Sequence, residues 1–264
     1  MKLTVRSELI YEFAPATEII ASIQATISPD QVIASERLQV TPAVQIRNDG
    51  PDANGERRFR ATLSGYATLA YEAVVDTGHR ALLPASVRQH AWSELPPEVL
   101  QYFTPSRYCP SDRFIAFALR EFGHLSGGAR VLAVLDWIYA NVDYRGGVSN
   151  SATCAEHTFI DRAGVCRDFT HLGVTFCRAL NIPARVVSAY AWKLDPPDFH
   201  AIFEVFLDGG WWMVDPTRLA PIDGLVRIGV GRDAADIAFL TTSVNCTPIS
   251  MMVSVSERVE AAAA

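Results

Sequence analysis

The sequence has little of what would take a protein into a membrane or onto a nucleic acid. No segment of its 264 residues approaches the run of about 18 uninterrupted apolar residues that a membrane-spanning helix needs. Residues 1–8 carry charges where a signal peptide has its apolar stretch. Basic residues form no run, and 23 Lys and Arg against 29 Asp and Glu give a net charge of −6. We therefore expect a soluble cytoplasmic protein with neither a membrane nor a nucleic-acid partner.

Cysteine is also scarce. The chain has five, an odd number scattered along its length, unlike the dense, even set of a small secreted scaffold. In a reducing compartment all five stay thiols, so a reactive one must be told from buried ones by its surroundings. Hydrophobic residues make up 49% of the chain and charged residues 20%, a composition that excludes long disorder. The cysteines are Cys109, Cys154, Cys166, Cys177 and Cys246.

The first part of the chain has the pattern of short β-strands. Segments rich in β-branched and aromatic residues are separated by turn residues such as Ser, Pro, Asp, Asn and Gly. Strands of this length and spacing are typical of a β-sandwich. The predicted strands cover 2–13, 18–27, 31–40, 59–63 and 66–75.

A cluster of prolines then marks a boundary. Five of the 15 prolines lie within 84–110, and this predicts a β-rich, sandwich-like domain over 1–95 and a second domain over 96–264. The second domain has helical periodicity first and strand patterns afterwards, which predicts an α+β fold. Its predicted elements are helices near 111–123, 129–142 and 165–181, strands at 185–192, 200–207, 211–214 and 249–255, and a frayed end at 260–264.

Cys166 is the best candidate for a reactive thiol because it begins a predicted helix. It follows Gly164 and Val165, so its sulfur lies near the unpaired N–H groups at the positive end of the helix dipole. These groups stabilise a negatively charged sulfur, and they also face the oxyanion that forms when sulfur attacks a carbonyl. A buried structural cysteine is the alternative interpretation.

A cysteine nucleophile needs a base, and two histidines are available. His171 lies five residues along the same helix, about 140° around its axis from Cys166, so it faces away. His200 begins a strand after the irregular loop 195–198, where a side chain can face a cleft. His200 is therefore the preferred base.

A third group must hold the imidazole in its working tautomer, and Asp215 is a candidate at the end of the next strand. Pro216 ends that strand. If Gly209 and Gly210 form the two-residue turn, Asp215 lies on the same face as His200 but about 13 Å further along the sheet. Spacing alone therefore does not join the three side chains.

Several segments of the second domain resemble the transglutaminase-like superfamily in order and spacing. The resemblance is strong over about 110–221, whereas GRDAAD at 231–236 and the β-rich first 90 or so residues more weakly resemble flanking regions of bacterial members. It implies a papain-like α+β fold with Cys166 as nucleophile, His200 as base and Asp215 as the residue that orients His200. The matching segments are GVCRDFTHL at 164–172, NIPARVV at 181–187, HAIFEV at 200–205 and WMVDPT at 212–217.

Five further residues are candidates for substrate binding. The family generally supplies an oxyanion donor from a side chain upstream of the cysteine, and Tyr144 or Tyr108 are the available residues. Arg167 stands where bacterial relatives often have Gln, and its charge beside the thiol would stabilise negative sulfur or bind an acidic substrate. Trp211 and Trp212 point to opposite faces of one strand, so one is expected in the core and the other along the cleft.

Metal binding is the competing interpretation of the same region. Cys154 and His157, followed by Cys166 and His171, have the composition of a structural zinc site. The spacing is poor, because Cys166 and His171 point apart on their helix and the usual paired C-x2-C is missing. We therefore predict no metal and no other cofactor.

The residues and the resemblance together predict a thiol enzyme that takes an acyl group from a peptide or protein amide through an acyl-enzyme. Release by water makes it a cysteine peptidase or amidase, whereas release by a lysine amine makes it a crosslinking protein-glutamine gamma-glutamyltransferase. Hydrolysis is favoured because no acidic cluster resembles the calcium sites of crosslinking animal relatives. A peptide-binding module with a silent triad is the third possibility. The sequence leaves the oligomeric state open.

Overall fold

The computed structural model describes residues 1–258, and the predicted frayed end at 260–264 lies outside them. Four helices, two antiparallel sheets and one short parallel pair of strands make up the fold. None of the helices in this part of the chain is long and apolar enough to cross a membrane. The strands are β1 (Lys2–Ala21), β2 (Val32–Thr41), β3 (Arg47–Asn48), β4 (Phe59–Asp76), β5 (Asp143–Tyr144), β6 (Ala163–Gly164), β7 (Ala184–Ala191), β8 (Phe199–Leu207), β9 (Gly210–Val214), β10 (Leu225–Gly231), β11 (Leu240–Thr242) and β12 (Thr247–Glu257). The α-helices are α1 (Ile115–Phe122), α2 (Gly127–Asn141), α3 (Ala155–Asp161) and α4 (Cys166–Ala179), and 3₁₀ turns occupy Trp92–Glu94, Pro97–Tyr102, Ser111–Phe114 and Ile222–Gly224.

The first sheet is built on two long strands, β1 and β4, which pair antiparallel along most of their length. Buried and more accessible side chains alternate along both strands, as expected when one face of a sheet lies on the core. The predicted strands 2–13 and 18–27 fall largely within β1, which is irregular where the register shifts between Phe13 and Thr17. β4 likewise joins two predicted strands into one.

The strand-rich character of this region is confirmed, although its strands form one sheet. The order is β11, β1, β4, β2, with β12 also on β1 and β3 also on β4. A sandwich needs a second layer, and here residues of the other sheet, Tyr190, Val226 and Ile228, join the core of the first. Turn spacing predicts strands but not which layer covers them.

The last two strands return to the first sheet. β11 and β12 both pair antiparallel with β1, whereas the sequence interpretation included 240–257 in the second domain. A strand's alternation shows that one face is buried but does not identify its partner. The boundary after residue 95 stays a prediction, and the C-terminal strands lie with the first sheet.

The second sheet and the helices form the α+β unit that carries the candidate site, and this fold class is confirmed. The sheet is antiparallel, in the order β10, β7, β8, β9. α4 is buried along most of its length and shares a hydrophobic core with β7 and β8. Gly173 permits this close packing because a Cβ there would lie 2.5 Å from the ring of Phe203.

Candidate active site

The Cys166 thiol lies at the first residue of α4 and is partly buried. The start of this helix is held by Asp168, whose buried carboxylate accepts a hydrogen bond of 2.9 Å from the Val165 N–H. Gly164 leaves room for this contact, because a Cβ at residue 164 would lie 2.6 Å from the Asp168 Cβ. Local sequence therefore fixes the backbone on both sides of the thiol.

Tyr144 lies beside Cys166 because of a two-residue parallel pairing. Tyr144 in β5 pairs with Gly164 in β6, two residues before the cysteine. Burial and the electrostatic influence of the Cys166 sulfur raise the pKa of Tyr144 to about 12, while a hydrogen bond from the Cys166 N–H acts in the opposite direction. The Tyr144 hydroxyl therefore stays protonated at neutral pH and can donate a hydrogen bond. Tyr144 is 48% exposed, so solvent reaches this side of the site.

His200 and Asp215 form a buried pair. The His200 Nε2 lies 3.0 Å from the Asp215 Oδ2, with both side chains almost fully buried. Their approach depends on the turn between β8 and β9, where Asp208 and Gly209 have φ values of 49° and 79°. The sequence analysis considered a turn at Gly209 and Gly210, which would keep Asp215 apart from His200; the observed turn lies one residue earlier, because Asp tolerates the left-handed conformation. The observed turn moves Asp215 two positions closer to His200.

The Asp215 carboxylate is held from several sides. Its Oδ1 accepts hydrogen bonds from the Thr217 N–H at 2.9 Å and the Thr217 hydroxyl at 2.7 Å, and its Oδ2 accepts one from the Ala220 N–H at 3.1 Å. Burial alone would raise the pKa of Asp215, but the contacts with His200 and Thr217 lower it overall. Sequence reasoning assigned no role to Thr217. Its signal is the spacing in Asp-Pro-Thr, which places a hydroxyl two residues after the carboxylate.

The electrostatic environment keeps the His200 imidazole positively charged. Burial would lower the pKa of His200, but its interactions with Asp215 and Cys166 raise it to about 10. The Nε2 nitrogen is engaged by Asp215 at 3.0 Å. The other nitrogen, Nδ1, is buried and has no hydrogen-bond partner within residues 1–258, which leaves it available to the Cys166 sulfur. The other two residues of the sequence prediction, Cys166 and Asp215, thus both act on the His200 imidazole.

The remaining candidates make contacts with residues outside this centre. Tyr108 stacks on His171 at 5.1 Å between ring centroids, and its hydroxyl donates to the Ser151 carbonyl. The Trp211 ring lies under the Arg185 guanidinium, while the Trp212 indole N–H donates to the Leu207 carbonyl. Arg167, next to the thiol, pairs with Asp168 at 3.2 Å.

The structure does not bring together the four side chains of the zinc interpretation. Cys154 Sγ lies 3.2 Å from His157 Nδ1 at the start of α3, whereas His171 accepts a hydrogen bond from the Ala234 N–H. Burial lowers the pKa of His171 to about 4, so this imidazole is neutral at physiological pH. Across residues 1–258, no three His, Cys, Asp or Glu side chains form a group that could hold a metal ion.

Asp198, in the loop before β8, is a further residue near the centre that sequence reasoning did not select. Its charge acts on both His200 and Tyr144. Its Oδ1 accepts a hydrogen bond of 2.6 Å from the Phe199 N–H. The available signal was its position two residues before His200, since residues at this spacing in an extended chain point to the same side.

Comparison with known families matches two parts of the chain. Residues 119–216, which include Cys166, His200 and Asp215, match the model of the transglutaminase-like superfamily. Residues 1–90 match the model of the bacterial transglutaminase N-terminal domain. Both matches agree with the resemblance of the sequence motifs, which is thereby confirmed.

Similar proteins include a solved structure of a candidate cysteine protease from Cytophaga hutchinsonii. It is 39% identical, with a TM-score of 0.90, and the match covers 97% of this chain and 90% of that one. An uncharacterized protein of Mycobacterium leprae is 31% identical over 189 residues, 65% of this chain and 65% of its own length. One from Mycobacterium tuberculosis is 27% identical over 194 residues, 66% of this chain and 56% of its own length. The chain thus spans less than two thirds of these mycobacterial relatives, and its coverage of the Cytophaga protein is nearly complete. The chain belongs to the transglutaminase-like superfamily, in a form with a strand-rich bacterial N-terminal region.

Proposed function

We propose that this protein is a cysteine peptidase or amidase that hydrolyses a peptide or protein amide through a Cys166–His200–Asp215 triad. The observation that carries the proposal is the buried His200–Asp215 pair, 3.0 Å between Nε2 and Oδ2, whose imidazole also interacts with the thiol at the start of α4. The membership of the thiol enzyme superfamily supports it.

The chemistry divides into two half-reactions. The negatively charged Cys166 sulfur attacks the amide carbonyl carbon, and His200 gives its proton to the leaving nitrogen as the C–N bond breaks. The product is a thioester acyl-enzyme with a neutral imidazole. Water then attacks the thioester while His200 takes its proton, and the C–S bond breaks to release the acid and restore the charged pair. Asp215 fixes the imidazole and stabilises its positive charge throughout.

Two donors are available to the oxyanion of each tetrahedral intermediate. The first is the Cys166 backbone N–H at the start of α4, which donates to the Tyr144 hydroxyl in the free protein and would donate to the oxyanion when substrate is bound. The second is the Tyr144 hydroxyl, which is protonated because its pKa is raised to about 12 by burial and the nearby sulfur. Of the two tyrosines that the sequence offered, Tyr144 is the one beside the thiol. Tyr144→Phe removes this donor without changing the ring, which separates hydrogen bonding from packing.

Water is the proposed acyl acceptor because the site is open to solvent. The Tyr144 ring is 48% exposed and Cys166 is only partly buried. A crosslinking enzyme has to keep water from its thioester long enough for an amine to arrive. An exposed thioester favours hydrolysis.

The test is to trap the acyl-enzyme. The full chain is incubated with a library of peptide esters and glutamine-amide peptides, quenched in acid, and analysed by intact mass. We expect a mass adduct on the parent and on Cys154→Ser, and none on Cys166→Ala. An adduct that survives in Cys166→Ala would overturn the triad, and release of the acyl group mainly onto added amine rather than water would change the enzyme class to acyltransferase.

A further inference from the structure

Asp198 is an acidic residue close to the proposed active site, because its charge interacts with both His200 and Tyr144. It directly precedes β8, two residues before His200, and its side chain is exposed. Residues at this spacing in an extended chain share one side, so the carboxylate is on the same side as the imidazole. Its negative charge interacts electrostatically with His200 and with Tyr144. Asp198 therefore borders the space that a substrate at Cys166 has to enter.

The Asp198 carboxylate has no Arg or Lys partner within residues 1–258. Its Oδ1 accepts a hydrogen bond of 2.6 Å from the Phe199 N–H, and the charged group that acts on it is the His200 imidazole. Arg145 and Arg167, which follow Tyr144 and Cys166 in the chain, pair with other carboxylates, Asp143 and Asp168, each at 3.2 Å.

Negative charge therefore exceeds positive charge around the site, because one imidazolium faces the Asp215 and Asp198 carboxylates and the Cys166 sulfur. His200 supplies one positive charge, and Asp215 holds it at 3.0 Å while the Cys166 sulfur shares it. A second carboxylate at Asp198 gains little from the same imidazole, since the carboxylate of Asp215 already compensates its charge. The Asp198 carboxylate is therefore able to pair with a cation that the substrate supplies.

We propose that Asp198 is a specificity-determining residue that binds an ammonium or guanidinium group of the substrate next to the reacting amide. The proposal rests on the proposed function and names the substrate class of the same site, a basic one. The cation can belong to the acyl donor, as a Lys or Arg side chain near the carbonyl, or to an amine that competes with water. A hydrogen bond to a charged group stabilises binding enough for about a 10- to 100-fold preference in kcat/KM.

The experiment compares charged and neutral substrates of equal shape. The donor arm uses two peptide esters that differ only in Lys against Nε-acetyl-Lys at the residue carrying the reacting carbonyl or beside it. The acceptor arm uses a diamine against a monoamine of equal chain length, and measures how each partitions the acyl-enzyme. The burst of leaving alcohol reports acylation separately from product release.

Asp198→Asn is compared with Asp195→Asn, which removes the same charge from the same loop three positions earlier. The readout is the ratio of kcat/KM for the charged and neutral member of each pair, so a general loss of activity cancels. We expect the ratio to fall about 10- to 100-fold in Asp198→Asn and to stay within twofold of the parent in Asp195→Asn. Asp198→Lys should reverse the preference.

The outcomes separate this inference from the function on which it rests. A burst with both donors and a ratio near one in the parent, or a ratio that Asp198→Asn leaves unchanged, overturns the role of Asp198 and leaves the thiol enzyme standing. The absence of a burst with any donor, together with equal alkylation of Cys166 and Cys154, overturns the proposed function and the inference with it. A fall in the donor ratio alone assigns the cation to the peptide, and a fall in the acceptor ratio alone assigns it to the amine.

Discussion

Two helices of this protein begin at a cysteine with a histidine nearby, and only one of them is equipped for catalysis. At the start of α3, Cys154 Sγ lies 3.2 Å from His157 Nδ1. The same nitrogen accepts a hydrogen bond from the Cys154 N–H at 3.1 Å, so this imidazole serves as a helix cap. At the start of α4, the imidazole that acts on Cys166 comes from another element and is held by a buried carboxylate. A short sulfur–nitrogen distance can arise from local capping, whereas a charged imidazole requires Asp215.

The largest expected effect separates the two thiols directly. Cys166→Ala removes the proposed nucleophile, and kcat should fall by at least about 10⁴-fold because no neighbouring group replaces the sulfur. Thermal unfolding should change little, since the side chain is only partly buried. Steady-state kinetics beside the Tm of each variant measure both quantities. Activity within tenfold of the parent would place the nucleophile elsewhere.

The second comparison concerns the two imidazoles. His200→Ala removes the proton donor of the leaving amine, for which we expect a loss of about 10²- to 10⁴-fold in kcat. His157→Ala removes only the cap of α3 and should lower Tm slightly with kcat within about twofold. Equal catalytic losses at matched stability would mean that proximity to sulfur is sufficient, and the contrast between the two helix starts would disappear.

Asp215→Asn tests whether the carboxylate is what distinguishes the α4 site. We expect a smaller loss than for His200→Ala, roughly 10²-fold in kcat, because the imidazole remains but loses its orientation and its countercharge. Burial then acts unopposed by this contact, and the pKa of His200 falls from about 10 toward its ordinary value. The alkaline limit of activity should therefore move to lower pH.

The same substitution has a signature in stability. A histidine with a raised pKa contributes stability that is complete below its unfolded-state pKa, about 6.5, and is lost as pH rises through its folded value. The Tm of the parent should thus exceed that of Asp215→Asn most clearly between about pH 5 and 6.5, with the gap narrowing toward pH 10. A gap that is constant over this range would assign Asp215 a structural role independent of the imidazole charge.

The smallest expected effect is at Cys154. Cys154→Ser keeps a side chain that can cap α3, so kcat should stay within about twofold and Tm within a few degrees. Iodoacetamide should modify Cys166 faster than Cys154, and the rates are separable by peptide mass mapping. Faster alkylation of Cys154 would reverse the ranking of the two thiols.

Features set by neighbouring residues could be predicted from the sequence, whereas features set by contacts between distant residues could not. The motifs around Cys166 and His200 were sufficient to predict the fold class and to nominate the three central residues. Short segments contain both the spacing and the residue types on which these predictions depend. Asp208 at a positive φ was not anticipated, and one residue of error in that turn displaced Asp215 by two positions. The number of sheets in the first region depended on which layer packs against it, and strand alternation does not contain that information.

Residues that act through space were the hardest to predict. Tyr144 reaches Cys166 through a two-residue parallel pairing that has no sequence signature. Asp198 belongs to no sequence motif. It becomes a candidate only when the ion pairs of the structure are known. Trp211 illustrates the converse case, since a conspicuous aromatic residue beside the site strand packs instead against Arg185.

The pairing of β12 with β1 sets an order of events during synthesis. β1 can pair on one edge with β4 as soon as residues 59–76 are made, but its other edge is closed only by residues 240–257. Until these emerge, a long strand edge is exposed, and exposed edges recruit other chains. A nascent chain stopped before residue 240 should therefore aggregate or hold a chaperone even though the helices and second sheet are complete, which a solubility assay of a 1–239 truncation would reveal. Completion of the first sheet thereby waits for residues that are made after the helices and the second sheet.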